Sequence, residues 1–227
     1  ECGVEAEVTC SGVCEEDWAD SWKKYYKPIK TGKRLVIVPV WETYEKEDGE
    51  IIVLMDPGMA FGTGTHETTN MCMQLLEKHL EDGMRVMDVG TGSGILAILS
   101  LMFGAKHAVG TDLDICAVSA VAENCEVNGI APEQFEMMIG NIITEKEIQD
   151  RVGYECYDIV VANILADVLV PLTPVIVNQL KSGGIYITSG IIDDKEETVV
   201  NCVKKAGLEV LEVTYQGEWV SVTARKN

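Results

Sequence analysis

Apolar and polar positions along this chain fall into blocks whose spacing switches between the strand period and the helix period. EEDWADSWKKYYK (15–27) starts acidic and ends basic, with Trp18, Trp22 and Tyr25 at i, i+4 and i+7. That pattern predicts a short helix with an aromatic docking stripe, ended by Pro28. RLVIVPVW (34–41) and EIIVLM (50–55) predict two strands around the turn EKEDG. From there the order is regular. Helices are expected over 66–80, 95–103, 115–128, 166–181 and 193–206, and strands over 85–90, 107–112, 135–140, 157–164 and 183–190. Two last strands, 208–215 and 218–225, are separated only by Gln216 and Gly217. Strands alternating with helices imply βαβ units and a parallel sheet, whereas strands joined by two residues must run antiparallel. The expected class is therefore α/β: a doubly wound, mostly parallel seven-stranded sheet with a C-terminal antiparallel hairpin.

Three segments break the periodicity where strands end. DVGTGSG (88–94) follows an apolar strand and opens a helix, and Gly90, Gly92 and Gly94 allow close backbone approach to a ligand. A dinucleotide fingerprint needs its third glycine at position 95, where Ile95 stands, so the turn suits a ligand without a pyrophosphate. Asp112 ends the next strand about 20 residues on, placed for ribose hydroxyls, while Asp114 reads as the cap of the following helix. Asn141 ends the third strand, where its amide suits an adenine edge. Asn163 ends the apolar run VVAN; a pocket carboxamide and a helix cap are both open readings for it. Three successive strand ends describe one crevice, and its contents read as adenosine plus an amino acid, that is, S-adenosylmethionine. A fourth segment, MDPGMAFGTGTHETT (55–69), sets Phe61 among glycines and threonines with more backbone freedom than a corner needs.

Composition narrows the partners. The 227 residues carry 37 acidic against 18 basic side chains, a net charge of −19 that repels phosphate backbones and makes direct nucleic-acid binding unexpected. No stretch approaches the ~20 apolar residues of a membrane span. The 8 cysteines include no C-x-x-C pair and fit no zinc template, so a reduced cytoplasmic setting and no metal are expected. The chain opens ECGVEAEV without an initiator Met, which reads as an entry partway into a longer protein.

DPGMAFGTGTHETT, DVGTGSGILAI, VVANILADVL and the terminal GEWVSV together resemble the ribosomal-protein methyltransferases that modify protein eleven of the large subunit, within the class I S-adenosylmethionine-dependent enzymes of Rossmann-like fold. The likeness runs from about residue 15 to the end. It implies that residues 1–28 are the tail of a missing N-terminal substrate-recognition domain plus a linker helix, and that 29–227 are the methyltransferase domain. It implies that the 55–69 loop is a lid, and that Phe61, Thr65, His66, Thr69, Gly90, Thr91, Gly92, Asp112, Leu113, Asn141 and Asn163 contact the cofactor. Phe61, Asn163 and Trp219 are the implied substrate contacts, although Trp219 by itself reads as a sheet-packing aromatic. Ser182 and Glu67 depart from the family pattern, where Pro is common, at the level of turns only.

Methyl transfer to an amine needs a neutral nucleophile and no acid for the thioether that leaves. A lysine amine has a pKa of ~10.4, so desolvation under the lid has to favour its neutral form. Asn163 is the expected catalytic residue, orienting the amine through its carbonyl without holding a proton on it; proximity carries most of the rate. Other readings of the same motifs are a methyltransferase of this fold acting on RNA or a small molecule, and a non-catalytic cofactor-binding module. N-I-L-A after the fourth sheet strand offers no aromatic platform for a base, which disfavours the RNA reading.

Overall fold

The structure, a computed structural model, describes residues 26–56, 64 and 66–227. The loop residues Phe61 and Thr65, and all but the last two residues of the helix expected over 15–27, lie outside these.

A small sheet comes first: β1 (Ile29–Thr31), β2 (Leu35–Pro39) and β3 (Ile51–Met55). Then follow α1 (Glu67–His79), β4 (Arg85–Val89), α2 (Ile95–Met102), β5 (His107–Asp112), α3 (Cys116–Val127), β6 (Phe135–Ile139), α4 (Lys146–Val152) and β7 (Tyr157–Asn163). The chain ends with α5 (Ala166–Gln179), β8 (Leu180–Ile192), a 3₁₀ turn (Asp193–Lys195), α6 (Glu196–Lys205), β9 (Leu208–Gln216) and β10 (Trp219–Lys226). Seven strands form the main sheet in the order β6-β5-β4-β7-β8-β10-β9; β6 through β8 run parallel, and β10 is antiparallel to both its neighbours. The expected fold class is the observed one.

Alternation along each central strand feeds two apolar layers, as a sheet covered on both faces requires. Val86, Ile159 and Val161 pack with α1, α2 and α3, while Met87, Val89 and Val160 pack with α5 and α6. The strand order runs outward from β4 to β6, then returns to the other side of β4 with β7. That reversal opens a crevice at the carboxyl ends of β4 and β7.

Five details differ from the sequence expectation. β2 and β3 pair in parallel, Leu35 against Ile51, so residues 40–50 cross back over rather than closing a hairpin. β1 has too few residues to register as a strand, and α4 (KEIQDRV) buries only Ile148 and Val152, too thin an apolar stripe to be seen. β8 extends to 180–192 because Leu180 pairs with Tyr157 and Ile192 pairs with Trp219. The helix expected over 193–206 opens instead as the 3₁₀ turn.

α5 persists through Pro171 and Pro174. Proline cannot donate to the carbonyl four residues back, so Pro174 leaves the Val170 carbonyl without its helical partner. The Cys202 thiol on α6 donates to that oxygen at 3.3 Å, which converts a helix defect into a helix–helix contact.

Candidate functional site

β4 ends at Val89 and the chain turns sharply. Gly90 has φ +73°, and its N–H donates to the Thr111 carbonyl at 2.8 Å. A Cβ at Gly90 would stand 2.5 Å from Ile164 Cγ2, so only glycine lets the β4 and β7 exits approach this closely. The next residues fold back on the sheet. Thr91 Oγ1 donates to Asp88 Oδ2 at 2.8 Å, and the Gly92 N–H donates to Asp112 Oδ2 at 2.8 Å. Asp112 Oδ1 accepts from the Asp114 N–H at 3.0 Å, and Asp114 Oδ1 accepts from the Cys116 N–H at 2.9 Å as α3 begins. The N-cap of α3 is Ile115, not Asp114 as expected, with Asp114 bonding the Cys116 N–H from one residue upstream, while Asp112 ties the β4 and β5 turns together and lines the crevice. A carboxylate offers about four acceptor positions, so two backbone bonds leave room for ligand hydroxyls.

Asn141 closes β6 in the same manner, its Oδ1 accepting from the Ile143 N–H at 2.9 Å. Asn163 at the end of β7 is held from the opposite layer: its Nδ2 donates to Thr69 Oγ1 on α1 at 3.1 Å. Thr69 is buried, so the carboxamide is pinned by a side chain that cannot leave. His66 begins α1 as its N-cap, with Nδ1 accepting from the Thr68 N–H at 3.3 Å, and its ring meets Trp219 edge-on at 5.0 Å.

These strand ends surround a cavity of about 760 Å³, a size typical of small-molecule sites. His66, Gly90, Asp112, Leu113, Asn141, Asn163 and Trp219, all expected from the sequence, line it. Thr69 stands behind Asn163, and Thr91 and Gly92 are taken up in the turn; none of the three belongs to the lining. The lining also includes Ile142, Ile143, Ile164, Leu165, Val168 and Gly190, which sequence reasoning missed. Gly190 alone carried a signal, a glycine ending an apolar strand at the same sheet edge. Its φ is +83°, and a Cβ there would lie 2.5 Å from the Ile164 carbonyl oxygen.

The electrostatics of the lining are one-sided. Asp112 and Asp167 bring carboxylates, and among the described lining residues there is no Lys or Arg. Two buried polar atoms at the strand ends, Thr111 Oγ1 on the lining and Asp88 Oδ1 beneath it, have no partner among the described residues. Burial pushes the Asp88 carboxyl up to about 7, against the opposing effect of the Thr91 hydroxyl bond. Such a site fits a ligand with hydroxyls to donate, apolar surface to bury against residues such as Leu113 and Ile142, and positive rather than phosphate charge. S-adenosylmethionine has that donor and charge pattern.

Comparison with known proteins agrees. The family model for "Ribosomal protein L11 methyltransferase (PrmA)" matches residues 3–227. A ribosomal protein L11 methyltransferase of Lachnospira eligens is 50% identical over 224 residues, covering 98% of this chain and 70% of its own length. One from Agathobacter rectalis is 48% identical over 223 residues, covering 96% and 69%. A crystal structure of ribosomal protein L11 methylase from Lactobacillus delbrueckii subsp. bulgaricus superimposes with a TM-score of 0.79 at 32% identity, covering 89% of this chain and 100% of that one. The chain belongs to the ribosomal protein L11 methyltransferase family.

Proposed function

We propose that this protein transfers methyl groups from S-adenosylmethionine to amino groups of ribosomal protein L11, on lysine side chains and at the N-terminus. The observation that carries this reading is a crevice at the β4–β7 reversal whose described lining has carboxylates and no Lys or Arg, in a chain of this family. S-adenosylmethionine, bound there, supplies a methyl group on a sulfonium centre. The chain's own residues do the rest. Asp112 takes the ribose hydroxyls, Asn141 with Leu113 and Ile142 takes the adenine, and the Gly90 turn admits the amino-acid part. Phe61, Thr65, His66, Thr69, Thr91 and Gly92 complete the assigned cofactor set, with Thr69, Thr91 and Gly92 acting through the groups they hold.

At the other end, Asn163, Trp219 and the Phe61 loop take the acceptor amine. Ile164, Leu165 and Trp219 desolvate it there, and desolvation favours the neutral form of an amine. With its Nδ2 committed to Thr69, Asn163 directs its carbonyl oxygen at an amine N–H and orients the lone pair. A carboxylate in that place would hold the proton on. Residues 29–227 are the methyltransferase domain, and 1–28 the tail of the substrate-recognition domain plus a linker helix. The setting is cytoplasmic. The net charge of −19 argues against a nucleic-acid partner.

The test is transfer of labelled methyl from S-adenosylmethionine into unmodified L11, for the parent and for Thr69→Val. Label enters L11 with the parent. Thr69→Val keeps the shape but removes the Asn163 anchor; turnover at saturating cofactor then falls by about ten- to a hundredfold, the scale of losing a fixed orientation. Bound cofactor with no label in L11 from the parent overturns the substrate assignment.

A further inference from the structure

The acceptor end of the cavity runs out onto an apolar lip. Leu165 is 67% exposed, Val168 40% and Ile192 41%. Ile192 stands opposite Trp219 in the β8–β10 ladder. Gly190 lies against the Ile164 backbone, so the end of β8 and the start of α5 form one rim. A single exposed leucine needs no explanation; exposed apolar residues gathered on two elements at a cavity mouth do. The opposite exposed residues, Leu113 and Ile115, border the Asp112 end, where the cofactor assignment already accounts for the apolar surface.

Charge on the rim has one dominant sign. Asp193 and Asp194 are exposed, cap no helix and have no ion pair among the described residues. The Asp193 N–H donates to the Glu218 carbonyl at 3.0 Å, which brings Glu218 to the same edge. Asp167 extends from the first turn of α5, and its cationic neighbour Lys195 stands 3.7 Å away.

Building on the amine-acceptor reading above, we propose that this lip is the docking surface for the segment of the protein substrate that carries the target amine, and that the segment is extended and lysine-rich. Charge complementarity selects this occupant. Lysine stems lie along apolar surface while their ammonium groups stay in water, and Leu165, Val168 and Ile192 supply that surface beside Asp167, Asp193 and Asp194. An acidic peptide or a nucleic acid is repelled by the same rim. Docking flanking lysines here delivers the target amine past Trp219 to Asn163.

Ile192, Asp193 and Asp194 lie outside the cavity lining, so their replacement tests docking without touching the chemistry. Initial rates of methyl transfer into unmodified L11 are measured for the parent, Ile192→Ser and the double variant Asp193→Asn/Asp194→Asn, with cofactor affinity measured by calorimetry. KM for L11 rises about fivefold in each variant, the scale of a few rim contacts, while kcat and cofactor affinity stay at parental values. The charge variant also loses most of the parent's salt dependence of KM. Equal KM in all three, with label in L11, overturns the docking surface alone. No label from the parent, with cofactor bound, overturns the L11 reading and the docking surface with it.

Discussion

Asp88 shows how one side chain can carry two opposed demands. It ends the core of β4, fully buried, with one oxygen accepting from Thr91 and the other without a partner among the described residues. Cys72 on α1 and Asp112 on β5 are its titratable neighbours, and neither brings a positive charge. The sequence marks Asp88 only as the head of a glycine-rich turn; the cost of placing it there becomes visible when β5, β7 and α1 close around it. Unfolded aspartate titrates near ~3.9, and burial raises the folded value to about 7. Between those values the folded protein keeps a proton that the unfolded chain has released, so the stability due to Asp88 is present at acid pH and is lost as pH rises through that window. Asn in its place stays neutral throughout, and its carbonyl still accepts from Thr91. The expected outcome is that ligand-free Asp88→Asn gains on the parent progressively from about pH 4 to about pH 7. Urea unfolding at several pH values measures this; an offset independent of pH counts against it.

At the scale of elements, each part of the site is an element ending at the same edge of the sheet. β5 and β7 end at Asp112 and Asn163, and β4 and β6 run out into Gly90 and Asn141; these were legible because a polar or glycine residue closing an apolar run is a local pattern. The walls were not legible. Ile142, Ile164 and Leu165 look like any apolar residue, and only the convergence of the β6, β7 and β8 exits turns them into a lining. The Thr69–Asn163 bond spans 94 residues, a separation that no periodicity reveals. The parallel pairing of β2 and β3 was hidden for a related reason: a turn sequence says that the chain bends, not which way the next strand runs. Gly190 tests whether the approach of β8 to the β7 exit is as tight as it looks. Gly190→Ala brings a Cβ to within 2.5 Å of the Ile164 carbonyl oxygen at a φ of +83°. Backbone cannot rotate away as a side chain can, so destabilisation by about 1–3 kcal/mol is expected. Moving Ile164 also reshapes the cavity, and cofactor affinity falls with stability. Denaturant unfolding and cofactor titration on the same variant measure both; full stability with unchanged affinity contradicts the close approach.

For the whole molecule, the net charge of −19 sets two responses to salt that run in opposite directions. Most ion pairs among the described residues are surface pairs, such as Lys146–Asp150 and Arg225–Glu209, and exposed pairs contribute roughly 0–1 kcal/mol each. Self-repulsion among the surplus carboxylates acts on every part of the surface and favours the expanded chain. Raising ionic strength from about 0.01 to 0.1 M shortens the screening length from about 30 to about 10 Å, which relieves long-range repulsion more than it weakens contact pairs. The melting temperature of the ligand-free protein is therefore expected to rise, by about 2–4 °C for each kcal/mol of repulsion relieved in a chain of this size. Capture of a lysine-rich substrate segment at the Ile192–Asp194 rim weakens over the same range, because there the carboxylates attract. Calorimetric melts beside KM measurements at matched salt separate the two: a rising melting temperature with a rising KM assigns the acidity both roles, whereas a melting temperature that falls with salt means that the surface ion pairs outweigh the repulsion.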